Sequence, residues 1–212
     1  MMFEMCQLVA ILVMFNFGAP ASAFPTSDDV LRVARTFADG GGYSKQWKGT
    51  GTPAEIRFKG ETILVKGTEG SYCCGFTFTV AMKTATELHA LENKSVAQIK
   101  RFQKEWYGAL KETAERQAGQ ALANLGVGYE VKPEDAMPGD FCQFWRTKSG
   151  HSVIFLDWIT RDGKRIGLRY RSSQGSTDGV GDKSEFFKDS GVEGGEVDPS
   201  RMYFGRFGAQ VK

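Results

Sequence analysis

Gly70-Ser71-Tyr72-Cys73-Cys74-Gly75-Phe76 is the stretch that indicates the fold, together with Gly150-His151-Ser152-Val153-Ile154-Phe155 further along the chain. The first opens a segment of helical periodicity, and Ser71 as its N-cap would place Cys73 in the first turn. The second opens a segment of strand periodicity. A cysteine at a helix start and a histidine at a strand start suit a thiolate nucleophile and its imidazole base. Since the chain has only two histidines, such a pair can be assembled in few ways.

The periodicity on both sides of these stretches predicts an α+β domain in which the nucleophile helix packs on an antiparallel sheet. Before the cysteines we expect a helix capped at Thr26, and then either a hairpin or two short strands over residues 56–58 and 62–65. After them we expect one long helix from Ser95 to Leu125. The remaining elements are predicted to be antiparallel strands at Phe141–Trp145, Ser152–Ile159 and Arg165–Ser172, and a final edge strand over residues 202–207. Arg161-Asp162-Gly163-Lys164 is predicted to form a hairpin turn between the second and third of these strands.

The N-terminal residues have the pattern of a secretory signal. Leu8 to Phe17 is a mostly apolar run too short to span a bilayer as a mature helix, and Ala21-Ser22-Ala23 is a small-residue cleavage site before Phe24. The alternative is an apolar anchor that is never cleaved. We therefore predict a signal peptide at residues 1–23 and a secreted or periplasmic protein.

The rest of the chain, residues 24–212, is short enough to be a single domain. Its motifs divide it into an N-terminal extension (24–69), a motif-bearing core (70–175) and a Gly-rich C-terminal segment (176–212).

Charge and composition exclude several classes of protein. The formal net charge is +2 and the isoelectric point is near 8.3, so no strong basic field predicts nucleic-acid binding. No second apolar stretch is long enough to cross a membrane. Without a Cys-x-x-Cys spacing a zinc site is disfavoured, and we expect neither a metal nor another cofactor.

Three cysteines follow the signal segment: Cys73, Cys74 and Cys142. An odd count is a poor disulfide framework, and adjacent cysteines rarely bridge each other. Unpaired thiols in an exported protein favour catalysis. A bridge from Cys142 to Cys73 or Cys74 is the structural alternative, while Cys142 alone is most simply a small core residue.

The cysteine stretch resembles the nucleophile motif of NlpC/P60 cysteine peptidases, in which Asp-Cys-Ser-Gly-Phe-Val opens the catalytic helix. Ala136-Met137-Pro138-Gly139-Asp140-Phe141 resembles that family's Pro-Gly-Asp strand motif, and Gly150-His151-Ser152-Val153 its histidine strand and that of the related CHAP amidases. Tyr72 and Cys74 stand where the family has Asp and Ser. Aligning the Gly-Phe step favours Cys73 as the nucleophile, with Cys74 as the alternative.

This resemblance implies a papain-like arrangement and an amide or peptide hydrolase, whose substrate would be a cell-wall peptide or a similar peptidoglycan-like molecule. Cys73 would attack the carbonyl, and His151 would act as base and then acid. A thiol acyltransferase with the same residues, and a non-catalytic binding or structural domain with bridged cysteines, are the other classes.

The family carries a third catalytic residue on the strand after the histidine strand. Here Gln174 ends that strand, on the face that alternation gives to Tyr170 and Ser172. We predict that Gln174 orients the imidazole of His151, with Ser172 and Asp157 as alternatives.

Overall fold

The computed structural model describes residues 24–209, which form four α-helices and two antiparallel sheets. The predicted signal peptide, residues 1–23, lies outside the described residues. The helices are α1 (Ser27–Arg35), α2 (Cys73–Glu87), α3 (Val96–Trp106) and α4 (Ala118–Leu125). The strands are β1 (Gly40–Gly41), β2 (Ile56–Phe58), β3 (Glu61–Leu64), β4 (Gly128–Val131), β5 (Phe141–Arg146), β6 (Gly150–Arg161), β7 (Lys164–Gln174), β8 (Gly179–Phe186) and β9 (Val197–Phe207).

The large sheet has seven strands in the order β1-β8-β7-β6-β5-β9-β4, and each neighbouring pair is antiparallel. The prediction of a mixed fold with a large antiparallel sheet is therefore confirmed. β5, β6 and β7 are adjacent, as their sequence pattern predicted. In the turn between β6 and β7, Asp162 and Gly163 have φ of 50° and 73°, the sign that a tight hairpin turn requires at both positions.

The predicted hairpin before the cysteines is present, since β2 pairs with β3 as a separate two-stranded sheet. The predicted cap of α1 is also present, because the Thr26 hydroxyl accepts from the Asp29 amide and the Asp29 carboxylate accepts from the Thr26 amide. Both predictions are confirmed because the helix cap and the hairpin depend only on residues that are close in sequence.

The predicted long helix over residues 95–125 is wrong, because two helices, α3 and α4, occupy this region. The break includes Gly108 at φ 65° and Gln117 at φ 43°, which no α-helix accommodates. It lets α4 lie directly on β9: a Cβ added at Gly119 would come within 2.8 Å of the Phe204 carbonyl oxygen. Tertiary packing thus overrides a continuous helical pattern.

The predicted edge strand over residues 202–207 is also wrong in its position. β9 lies inside the sheet, between β5 and β4, and it begins at Val197. The Gly-rich segment before β9 contains a strand that was not predicted, β8. This strand pairs with β7 along its full length. Gly, Ser and Asp are poor strand residues in isolation, so only the partner strand makes β8 regular.

Each face of the large sheet carries its own hydrophobic core. The helices cover one face, where Phe76 of α2 and Trp106 of α3 pack with Phe141 and Ile154 of the sheet. The other face has a core formed mainly by the strands themselves, including Phe144, Phe155, Tyr170 and Phe204.

Asp140 of the Pro-Gly-Asp motif is fully buried at the start of β5. Both of its carboxylate oxygens accept from Arg206 at 2.7 Å, and one also accepts from the Met137 amide at 2.9 Å. This carboxylate therefore fixes the entry to β5 against β9. Over residues 24–209, no helix combines the length and apolar character needed to cross a membrane.

Candidate active site

Cys73 is the first residue of α2, and the N-cap is Tyr72 rather than the predicted Ser71. Tyr72 is extended and makes no side-chain cap bond, while the Ser71 hydroxyl bonds to Ser173 of β7 at 2.8 Å. The N-cap side chain makes no hydrogen bond to the first turn, whose backbone N–H groups lie beside the two thiols, and those of Cys74 and Gly75 bond to the Cys74 sulfur. The positive end of the helix dipole therefore lies at the thiol.

Residues 49–51 cross over this first turn at close range. A Cβ added at Gly75 would lie 2.1 Å from the Gly51 carbonyl oxygen, and one added at Gly51 would lie 2.2 Å from the Tyr72 ring. The Tyr72 hydroxyl in turn donates to the Gly49 carbonyl at 2.8 Å. Gly75, the glycine of the Gly-Phe step, is thus needed because another backbone passes there.

His151 lies near the start of β6, directly opposite Phe144 of β5, and is buried. Its imidazole meets the edges of Phe144 and Tyr170, with ring centroids 5.5 and 5.4 Å away. Among the described residues, Nε2 of this ring has no hydrogen-bond partner. Aromatic packing therefore holds the ring and leaves a nitrogen free.

The two adjacent thiols differ in acidity. A hydrogen bond from Cys74, and after it the hydrogen bond and charge of the His151 imidazole, hold the pKa of the Cys73 thiol well below its ordinary value, although burial opposes this. The backbone N–H of Ser152 adds to the effect. The hydrogen bond to Cys73, followed by burial, raises the pKa of Cys74 well above its ordinary value. Of the pair, Cys73 is therefore the more acidic thiol and the better candidate for a thiolate.

Gln174 ends β7 and lines the same cleft as Cys73 and His151. The β6–β7 pairing ends at Ile154 opposite Arg171, three residues short of both His151 and Gln174. However, its Nε2 donates to the Thr177 hydroxyl at 2.7 Å and to the Gly181 carbonyl at 3.3 Å, and its Oε1 is without a partner in the described chain. The orienting role of Gln174 stays a prediction.

The other sequence candidates lie elsewhere. Ser172 donates to the Ser152 carbonyl at 2.7 Å, and Asp157 is exposed and accepts from the Trp158 amide. His89 is a surface residue paired with Glu92 at 2.8 Å.

Cys142 is buried in the second core, as expected of a small apolar residue. Cys73, Cys74 and Cys142 are all free, so the alternative of a bridge to Cys142 is not met.

A half-buried ion pair close to the histidine was not predicted. Arg146 at the end of β5 donates to Glu185 of β8 at 2.7 and 2.5 Å, and the Tyr170 hydroxyl donates to the same carboxylate at 2.5 Å. Burial alone would raise the pKa of Glu185, but Arg146 and Tyr170 lower it to about 2. Sequence periodicity could not find this pair, because β8 itself was not predicted.

The cleft has a volume of about 590 Å³, which is within the usual range for small-molecule sites. Its walls include aromatic residues of the N-terminal extension, Tyr43 and Trp47, of which Trp47 is 65% exposed. Neither Tyr43 nor Trp47 was among the predicted site residues. Other lining residues are Tyr72, Tyr107, Gln143, Trp145, Arg146, Lys148 and Gly150.

Residues 24–209 contain no cluster of three or more His, Cys, Asp or Glu side chains arranged to hold a metal ion. Comparison with known proteins found no matching family model, no matching curated protein and no matching solved structure. The chemistry of the cleft must therefore be argued from its own residues.

Proposed function

We propose that this protein is an exported cysteine hydrolase that cleaves an amide or peptide bond. The observation that carries the proposal is the meeting of Cys73 and His151 in one cleft, with the thiol at an uncapped helix start and its pKa lowered. Strongly shifted pKa values of side chains in a cleft are typical of functional sites. The packing of α2 on a large antiparallel sheet is consistent with the papain-like arrangement that the sequence motifs imply.

The reaction follows from the two side chains. The Cys73 thiolate attacks the carbonyl carbon, and N–H groups at the start of α2 stabilise the negative oxygen. Protonated His151 gives its proton to the leaving amine, so the C–N bond breaks and a thioester remains. His151 then takes a proton from water, which attacks the thioester and releases the acid and the thiolate. No cofactor takes part in these steps.

Gln174 would orient the imidazole by accepting from it through Oε1, the atom that the described residues leave without a partner. His151 Nε2 likewise has no partner among the described residues, and both residues line the same cleft. The substrate we favour is a cell-wall peptide, an assignment that rests on the motif resemblance and the predicted signal peptide.

Labelling with iodoacetamide across pH, read by mass spectrometry, tests the proposal. Cys73 should be the labelled residue, with a titration midpoint below the ordinary thiol value of about 8.5. Labelling of Cys73 with an ordinary midpoint, or preferential labelling of Cys74, would contradict it. Cys142 is an internal control, because burial raises the pKa of this thiol well above its ordinary value.

A further inference from the structure

A second polar side chain beside the nucleophile has no role in the scheme above. Gln143 of β5 lines the cleft and is only 1% exposed. Its Oε1 has no hydrogen-bond partner within residues 24–209, and its Nε2 makes one long bond of 3.4 Å to the Phe144 carbonyl. Leaving a buried amide so poorly bonded destabilises the fold, so its presence needs an explanation.

The position of Gln143 relates it to the thiol through the strand pairing. Gln143 is directly opposite Ser152, so both side chains are on one face of the sheet. The Ser152 hydroxyl bonds to Thr77 at 2.9 Å, and the Thr77 hydroxyl donates to the Cys73 carbonyl at 3.1 Å. The amide thus lies beside the first turn of α2, on the sheet face that this turn covers.

Space for the amide is provided by a glycine. A Cβ added at Gly150 would lie 2.6 Å from Nε2 of Gln143 and 3.0 Å from the Trp145 ring. The glycine at position 150 therefore leaves the space that the side-chain amide of Gln143 occupies.

Resting on the proposed function, we infer that Gln143 is a further catalytic residue, whose Nε2 donates to the oxygen of the attacked carbonyl. An amide nitrogen has two protons, and the structure uses one of them weakly, so the other can bond to this oxygen. The bond would strengthen as the oxygen becomes negative, because the donor is held in a site of low polarity. It would act together with the N–H groups of α2.

Two reagents distinguish stabilisation of the negative oxygen from a general effect on the reactivity of the Cys73 thiol. Acetylation of Cys73 by p-nitrophenyl acetate passes through a negative tetrahedral oxygen: sulfur bonds to the carbonyl carbon and nitrophenolate leaves. Alkylation by iodoacetamide forms a C–S bond at a saturated carbon with loss of iodide, and has no such oxygen. The ratio of the two rates therefore reports stabilisation of the oxyanion and needs no knowledge of the natural substrate.

Gln143→Leu should lower the acetylation rate of Cys73 by at least about tenfold, within a range that reaches 10²–10³ for lost donors of this kind, with the alkylation rate unchanged. Its thermal midpoint should not fall, because the variant removes a poorly bonded amide. Gln103→Leu, on α3 and away from the cleft, is the matched control and should change neither rate.

An unchanged acetylation rate, or an equal fall in both rates, would overturn the inference and leave the proposed function standing. Failure of wild-type Cys73 to react with either reagent would overturn both. Should Gln143→Leu not fold, Gln143→Met provides the same test. If neither variant folds, the amide is structural and the inference is wrong.

Discussion

The Tyr170 ring meets the His151 imidazole edge-on at 5.4 Å between centroids, while the Tyr170 hydroxyl donates to Glu185. The imidazole is thereby connected to the half-buried Arg146–Glu185 pair through one aromatic side chain. Three strands other than its own, β5, β7 and β8, thus contribute to the surroundings of this candidate catalytic ring. This arrangement makes the histidine dependent on residues that its own strand does not supply.

The Glu185 carboxylate should make the protein sensitive to acid. Its pKa is about 2 in the fold against an ordinary 4.5, so its contribution to stability is full above about pH 4.5 and is lost as the pH falls towards 2. The difference corresponds to about 3 kcal/mol. In Glu185→Gln, urea unfolding at several pH values should lose this part of the pH dependence. Glu193→Gln, at an exposed site, should retain it.

Cys73→Ser should abolish hydrolysis and leave the fold intact, because the change is nearly isosteric and removes the thiolate. Cys74→Ser should retain substantial activity, because the serine hydroxyl can still donate the hydrogen bond that lowers the pKa of Cys73. Activity assays with circular dichroism check both variants. An inactive Cys74→Ser beside an active Cys73→Ser would reverse the assignment of the nucleophile.

His151→Ala should lose activity and move the alkylation midpoint of Cys73 upwards, towards the ordinary thiol pKa, because the imidazole no longer supports the thiolate. His89→Ala is the control, since this surface histidine pairs only with Glu92 in the described structure. Lost activity with an unchanged alkylation profile would point instead to a substrate-binding role for His151.

Gln174→Ala should slow turnover by roughly two- to tenfold, the effect of one neutral hydrogen bond of about 0.5–1.5 kcal/mol. The loss should be far smaller than that of His151→Ala, and the labelling of Cys73 should change little. Exposed Asp157, altered to Asn, should be neutral. Turnover equal to wild type in Gln174→Ala would remove the residue from the mechanism.

Asp140→Asn should destabilise the fold by about 3–5 kcal/mol, because Arg206 would lose its charged partner at a buried site. Thermal or urea unfolding measures this. If the free energy of unfolding changed by less than 1 kcal/mol, the carboxylate would not be a structural anchor.

Local signals in the sequence predicted the elements that neighbouring residues determine. The capped start of α1, the β2–β3 hairpin and the turn at Asp162-Gly163 depend on contacts within a few residues, and each is present. The start of α2 was predicted within one residue, since Ser71 bonds across to β7 instead of capping the helix.

Elements that depend on distant partners were missed. The break between α3 and α4 exists because Gly119 packs on β9, and β8 is a strand because β7 pairs with it. For the same reason the sequence located Cys73 and His151 but could not reveal Gln143, Trp47 or the Arg146–Glu185 pair. Their significance comes from what lies opposite them in space.

Residues 49–51 cross over the start of α2, and this crossing affects how much of the chain is needed for the domain to fold. The backbone contact of Gly51 with Gly75, and the bond from Tyr72 to Gly49, use residues outside the stretch that carries the recognisable motifs. A fragment trimmed to residues 70–175 would lack this support as well as β8 and β9. We therefore expect the smallest fragment that folds on its own to extend beyond the motif-bearing stretch on both sides.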